Sequence, residues 1–309
     1  MTAPVVSRPD LSARRGLSKS ALTSFAMCSQ KAWQRKHYPR PFIPKPKMSF
    51  GSCLDAACEV LIKEARAGID LDIERALAAS VVVEERDGVE VDQAEIEVAV
   101  RAFVADVMPR FDFALCRTQA HVHVTLPDWG EVDGHPDIVL ASNAVWDVKS
   151  SVNPKQTALT VELGMYTLMV EEETGKPVPE AGYLPWVRDG HGGGYWQGFG
   201  ADAVHMRELK SGPRKGQLVP EGHGIPSTVP DDELRRWTRA MVSAYVRADR
   251  ADDVLNRART KRGLPPENYS FPGGPVNASI CLDCEFNPLF GGACQMAPAR
   301  VVEETPDGD

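Results

Sequence analysis

Residues 136–149 read Pro-Asp-Ile-Val-Leu-Ala-Ser-Asn-Ala-Val-Trp-Asp-Val-Lys. Two apolar runs flank the turn-forming pair Ser142-Asn143, the pattern of two adjacent antiparallel strands. Such a pair places two carboxylates, Asp137 and Asp147, and one amine, Lys149, at the ends of neighbouring strands. Asp147 and Lys149 are two residues apart, so they share one face of their strand. Val148 points to the other face, into the core, and its carbonyl is left available as a ligand. Asp137 follows a proline, which supplies no backbone donor there. Two converging acids can hold a hard divalent cation, and magnesium suits them because it accepts carboxylate oxygens and keeps several waters. An amine beside such an ion can hold or polarise a water that attacks a phosphodiester. An Asp-x-Lys alone is common on exposed sheet faces. The Pro-Asp pair, the strand frame and the helix that follows make this one far more specific.

The surrounding sequence supports a sheet flanked by helices. Ser18 or Ser20 can cap a helix reaching about Tyr38, with Leu22, Phe25, Ala26 and Trp33 as its apolar stripe. Pro39–Lys47 holds four prolines and reads as a connector. A second helix is expected from near Phe50 to Gly68, a short one over 71–80, and a longer one from Asp92 to just before Pro109. Val81-Val82-Val83 is ambiguous. After Phe113 the pattern alternates: His121–Val124, a turn at Pro127–Gly130, Glu131–Leu140, and Ala144–Ser150 form an antiparallel meander. A helix over Lys155–Thr174 follows, then strands Ala181–Arg188 and Tyr195–Gly200. Residues 210–230 read as a loop and Asp231–Arg262 as a long helix begun by acids. The expected organisation is a flexible lead-in (1–17) and one domain (18–309). That domain comprises a helical part (18–112), a sheet core (113–200), and a helix with a cysteine tail (201–309).

The 309 residues carry a net charge of −8, but the distribution matters more. The first fifty residues hold ten Lys/Arg and one acid, Asp10, for +9, which leaves −17 on the rest. Polyanion affinity comes from local cations that release counterions. The basic residues Lys31, Arg35 and Lys36, interleaved with Trp33, are therefore expected to track a nucleic-acid backbone. Trp33 either stacks on bases or packs in the core. Arg235–Arg262 is a second basic stretch, equally readable as a solvated helix face. No apolar run is long enough to span a membrane. Met1–Gly16 has no apolar secretory segment, so a cytoplasmic protein is expected, in the host cytoplasm if the chain is phage-encoded.

With these residues in place, the chain resembles the PD-(D/E)XK nuclease superfamily. It is most similar to the RecB-like, CRISPR-associated and phage exonucleases that carry an iron–sulfur cluster. Leu17-Ser18-Lys19-Ser20 with Cys28 and Trp33 is similar to the family's opening helix. Phe50–Asp55 with Glu59 is similar to its Gly-x-x-x-His helix. Gly134–Ile138 and Trp146–Lys149 match its metal-binding core, and Glu162–Tyr166 stands where it has Gln-x-x-x-Tyr. The resemblance implies an α/β, restriction-endonuclease-like core: a mixed β-sheet flanked by helices. It also implies a metal-dependent DNA exonuclease acting on single strands or duplex ends, in recombination, repair or replication. Mg2+ or Mn2+ would sit on Asp55, Asp137, Asp147 and the Val148 carbonyl. Lys149, Glu162 and Tyr166 would complete the catalytic group. Asp55 departs from the family's histidine, and Glu162 from its glutamine. Glu59, one turn beyond Asp55, could assist or be a solvated flank.

Cys281, Cys284 and Cys294 lie within fourteen residues of an irregular tail, and soft thiolates select zinc or iron–sulfur. The resemblance supplies Cys28 as fourth ligand of a 4Fe–4S cluster; Zn2+ on the same thiolates is the alternative. Cys53, Cys58 and Cys116 read as small buried hydrophobes, and His121 and His123 as structural. Two other readings stand beside the nuclease. One is a non-catalytic nucleic-acid-binding module with a structural metal cluster. The other is a nuclease subunit active only with a recombinase or helicase; this sequence has no P-loop motif of its own.

Overall fold

A computed structural model describes residues 17–37, 43–126, 130–151, 160–188, 192–199, 205–208, 217–221, 225–268 and 271. The chain opens with a short strand β1 (Leu17–Ser18) and helix α1 (Lys19–Met27), capped by the Ser18 hydroxyl, which accepts from the Ala21 N–H. The single expected helix is broken. Cys28 adopts an extended conformation (φ −161°, ψ 107°), and α2 (Ser29–His37) starts afresh. Helix α3 (Pro46–Ala67) begins earlier than Phe50, because a proline's fixed φ suits the first helical position. It ends at Gly68 in the left-handed region (φ 66°). Helix α4 (Ile73–Asp87) runs on through the ambiguous valines, and α5 (Gln93–Ala102) is capped by Asp92 as expected. A π-helical turn (Phe103–Val107) and a 3-10 turn (Met108–Arg110) carry the chain past Pro109.

The meander follows as β2 (Arg117–Thr118), β3 (Val122–Leu126), β4 (Gly130–Gly134), β5 (Ile138–Val139) and β6 (Val145–Ser151). Helix α6 (Val161–Thr174) then crosses to β7 (Ala181–Arg188), which lies parallel to β6. The remaining elements are β8 (Gly194–Trp196), β9 (His205–Glu208), β10 (Leu218–Glu221), β11 (Ser227–Thr228) and α7 (Asp232–Lys261). The expected 210–230 loop is corrected: β10 pairs antiparallel with β9, and β11 with β7.

The main sheet runs β11-β7-β6-β5-β2, with β8 on β7; β1, β4 and β3 form a second, smaller sheet. This is an α/β architecture, a mixed sheet flanked by helices. The two sheets are one hairpin bent at a corner. Between β4 and β5 lies His135-Pro136-Asp137, and across from it Gln119 and Ala120 still donate to the carbonyls of Asp137 and Pro136 (2.9 and 3.2 Å). Side chains then sort by period two. Trp146, Val148, Leu184 and Trp186 pack under α3 and α5. Val145, Ala181 and Tyr183 pack under α6 and α7. Two glycines set the helix distances. A Cβ on Gly51 of α3 would stand 2.9 Å from the Ser150 hydroxyl of β6, and one on Gly164 of α6 would meet the Thr238 side chain of α7.

Candidate active site at the sheet corner

Strand β6 delivers Asp147 and Lys149 to the α6 face, as the two-residue spacing requires. Asp147 is 1% exposed and ion-paired with Lys149. Lys149 also donates to Glu162 Oε1 (3.2 Å), which sits in the first turn of α6. Burial disfavours the Lys149 ammonium, but Asp147, Glu162 and Asp137 outweigh it and push its pKa above the ordinary lysine value. Lys149 is therefore a fixed cation at any ordinary pH.

Asp137 reaches β6 from the corner, and its Oδ2 accepts the Val148 N–H (2.8 Å). Its Oδ1 accepts from Gln119 Nε2 (3.1 Å), and the same amide nitrogen donates to Asp55 Oδ2 (3.0 Å). Asp55 comes from α3, so Gln119 ties that helix to the corner. Gln119 holds a positive φ of 44°, a conformation that costs a non-glycine residue roughly 1–3 kcal/mol. Burial, then Asp147 and Asp137, push the Tyr166 pKa up, so the phenol stays neutral; it donates to the His135 carbonyl (2.8 Å) and pins the corner.

Four predicted residues, Asp137, Asp147, Lys149 and Glu162, thus meet at one place. Val148 contributes its backbone there, Tyr166 supports the corner from behind, and Asp55 is linked through Gln119. Glu59 is turned away, paired with Lys63 (2.7 Å). Two site residues carry no sequence signal. Gln119 is one. The other is Tyr183, opposite Asp147 in the β6–β7 register. The Tyr183 hydroxyl donates to Glu162 Oε2 (3.2 Å) and bonds to Thr160 Oγ1 (2.6 Å), and its ring lies 5.7 Å from Lys149 Nζ. Thr160 also caps α6 through the Leu163 N–H (3.2 Å). A cap and a strand tyrosine together fix the carboxylate that faces Lys149.

The donors are carboxylate oxygens from three elements, two of which converge on one amide nitrogen, and such a set fits a hard cation in kind. Among the described residues no three His, Cys, Asp or Glu side chains form a group that could enclose an ion. Asp137 and Asp55 are spaced by the Gln119 amide, and Asp147 is turned to Lys149.

The basic helix corrects part of the charge reading. Trp33 is buried, and its indole N–H donates to Asp252 Oδ1 (2.8 Å). Lys36 Nζ lies 2.7, 3.0 and 2.6 Å from carboxylate oxygens of Asp249, Asp252 and Asp253 on α7. Neither presents a stacking face or a spare charge, because α7 alternates its arginines with these aspartates. Arg35 stays exposed and donates to the Ser24 hydroxyl (2.7 Å); Lys31 is half-buried. Cys28, Cys53, Cys58 and Cys116 are all buried thiols. Cys281, Cys284 and Cys294 lie outside the described residues. His121 and His123 are exposed, and His121 pairs with Asp133 and stacks on His135 at 4.8 Å. No helix among the described residues is long and apolar enough to cross a membrane.

Two solved structures show similarity to this chain. One is a protein from Eubacterium rectale that carries the provisional name exonuclease. It is 11% identical, with a TM-score of 0.44, covering 80% of this chain and 82% of that one. The other is SSO0001, 10% identical, with a TM-score of 0.37, covering 94% and 91%. No protein-family model matches the chain, and neither does any curated protein.

Proposed function

We propose that this protein is a metal-dependent deoxyribonuclease that hydrolyses phosphodiester bonds of DNA, as an exonuclease. The observation that carries the reading is the permanently charged Lys149, held between Asp147 and Glu162 beside Asp137. A half-buried ammonium among acids is well suited to a developing phosphorane charge. Asp137, Asp147 and the Val148 carbonyl would hold Mg2+ or Mn2+, with Asp55 as the fourth donor. When bound, the ion supplies a polarised phosphate and a water of lowered pKa. The protein's own residues do the positioning. Lys149, locked as a cation, orients the incoming water and offsets charge on the phosphate oxygens. Glu162 holds the ammonium, and Tyr183 and Thr160 hold Glu162. Arg35 and Lys31 of α2 would contact the DNA backbone.

The test is hydrolysis of end-labelled single- and double-stranded DNA with Mg2+ or Mn2+, for the parent and for Lys149→Ala. Metal-dependent loss of label in the parent alone supports the reading. Equal degradation by both proteins ends the mechanism, and no degradation by either favours a non-catalytic binding module.

The same proposal includes a 4Fe–4S cluster on Cys28, Cys281, Cys284 and Cys294. Supporting it, Cys28 is buried at the α1–α2 break, and the segment leading to the other three docks beside it. Asn268 donates to Gln30, and Phe271 packs edge-on against Phe25 at 5.8 Å. Anaerobically purified protein is expected to be brown with a broad visible band. A colourless sample with stoichiometric zinc replaces the cluster by a zinc site.

A further inference from the structure

We infer that Gln119 is the residue that sets how tightly the corner binds its divalent cation, because its amide nitrogen stands between two of the acids that would ligate it. The inference rests on the metal-dependent reading above. One –NH2 group has two hydrogens, and both are committed: one to Asp55 Oδ2 at 3.0 Å, the other to Asp137 Oδ1 at 3.1 Å. The amide thus does for these carboxylates what a cation would do, with partial charges and at longer range. Magnesium binds oxygen at roughly 2.1 Å. An ion shared by Asp55 and Asp137 must draw their oxygens closer than an intervening nitrogen allows, so the Gln119 side chain has to leave before both can bind it.

The backbone is shaped for this placement. Gln119 takes a left-handed φ of 44°, while its own N–H donates to the Asp137 carbonyl at 2.9 Å. Main chain and side chain of one residue therefore grip the same aspartate from two directions. The carboxylates are kept converged and hydrogen-bonded without an ion, and the ion competes with a preformed donor. A position that only needed to stabilise the hairpin corner has no use for a side chain that also reaches an acid on α3.

The experiment is Mn2+ binding to the metal-free full chain, followed by electron paramagnetic resonance of the free ion, for the parent, Gln119→Ala and Gln119→Asn. Asparagine tolerates positive φ and is one methylene shorter, so it keeps the corner but cannot reach both acids. Removing a charge-assisted hydrogen bond that the ion must displace is expected to tighten Mn2+ about tenfold. It should also lower the melting temperature of the metal-free protein, so the rise on adding Mn2+ is larger in both variants. If the parent binds Mn2+ and the variants bind it equally or more weakly, Gln119 is no competitor and the inference falls alone. If neither parent nor variants bind Mn2+, the metal-dependent reading falls and takes the inference with it.

Discussion

Two lysines in this molecule sit among carboxylates, and their surroundings differ in an instructive way. Lys149 faces Asp147, Glu162 and Asp137, drawn from β6, α6 and the corner before β5. Lys36 faces Asp249, Asp252 and Asp253, all on one helix. For both, burial disfavours the ammonium and neighbouring acids more than restore it, so both pKa values are raised. What separates them is the company the acids keep. Asp252, fully buried, also takes the Trp33 indole and the His37 ring (2.6 Å), and Asn256 donates to it (2.8 Å). The partners from α2 (Trp33, Lys36 and His37) all tie that helix to α7. Around Lys149 the acids come from elements with separate structural tasks and converge only at this point. The ion pairs of the seam repeat one pair of elements; those of the candidate site gather several.

The sharpest way to break this comparison is to remove each ammonium. Lys149→Ala is expected to lower DNA hydrolysis by about 10²–10³-fold, the loss typical of a single electrostatic stabiliser, with the circular dichroism spectrum unchanged. Lys36→Ala should leave the hydrolysis rate per folded molecule within about threefold. It should destabilise the fold by about 3 kcal/mol, read by urea unfolding, because it strips a partner from a buried carboxylate. A smaller effect is expected of Tyr183→Phe, which keeps the ring beside Lys149 but frees Glu162. The rate constant should drop roughly tenfold with DNA affinity unchanged, since one hydrogen bond to a charged group is lost. A matching fall in affinity would instead make Tyr183 a DNA contact.

The smallest effect should come from pH. With both lysine pKa values above 10.5, the stability these charges give is fully present below pH 10.5 and is lost only as pH climbs through the higher folded values. Neither region should therefore respond between pH 5 and 9 through its lysine. Asp252 shifts the other way, below 3.8, since its bonds to His37 and Lys36 outweigh burial. Its contribution is present above pH 3.8 and fades as pH falls through the folded value. Acid titration of tryptophan fluorescence, differenced against Trp33→Phe, should show the α2–α7 seam loosening only below about pH 4. Loosening already near neutrality would show that Asp252 does not govern the seam.

Local rules made much of this legible in the sequence. Asp92 and Asp231 cap helices by accepting from backbone N–H groups three residues on, and Gly68 and Gly175 end helices in the left-handed region. The strand spacing that joins Asp137, Asp147 and Lys149 is likewise a local property. What escaped is non-local. Nothing near Gln119 announces that its amide will meet an acid sixty-four residues earlier and another eighteen later. Tyr183 reads as a core strand residue until the register sets it opposite Asp147. The basic character of the first fifty residues is visible, but its partial neutralisation is not, because the aspartates lie more than two hundred residues away. The helix break at Cys28 also has no proline or glycine to signal it.

The seam between α2 and α7 has a consequence for the order of events during synthesis. Trp33 and its acceptor Asp252 are 219 residues apart. At 5–20 residues per second, the carboxylate emerges roughly 10–40 s after the indole. During that interval Lys36 and Trp33 lack the α7 carboxylates that hold them in the folded chain, so α2 cannot complete its packing. The α2–α7 seam is therefore among the last contacts of the described chain able to form.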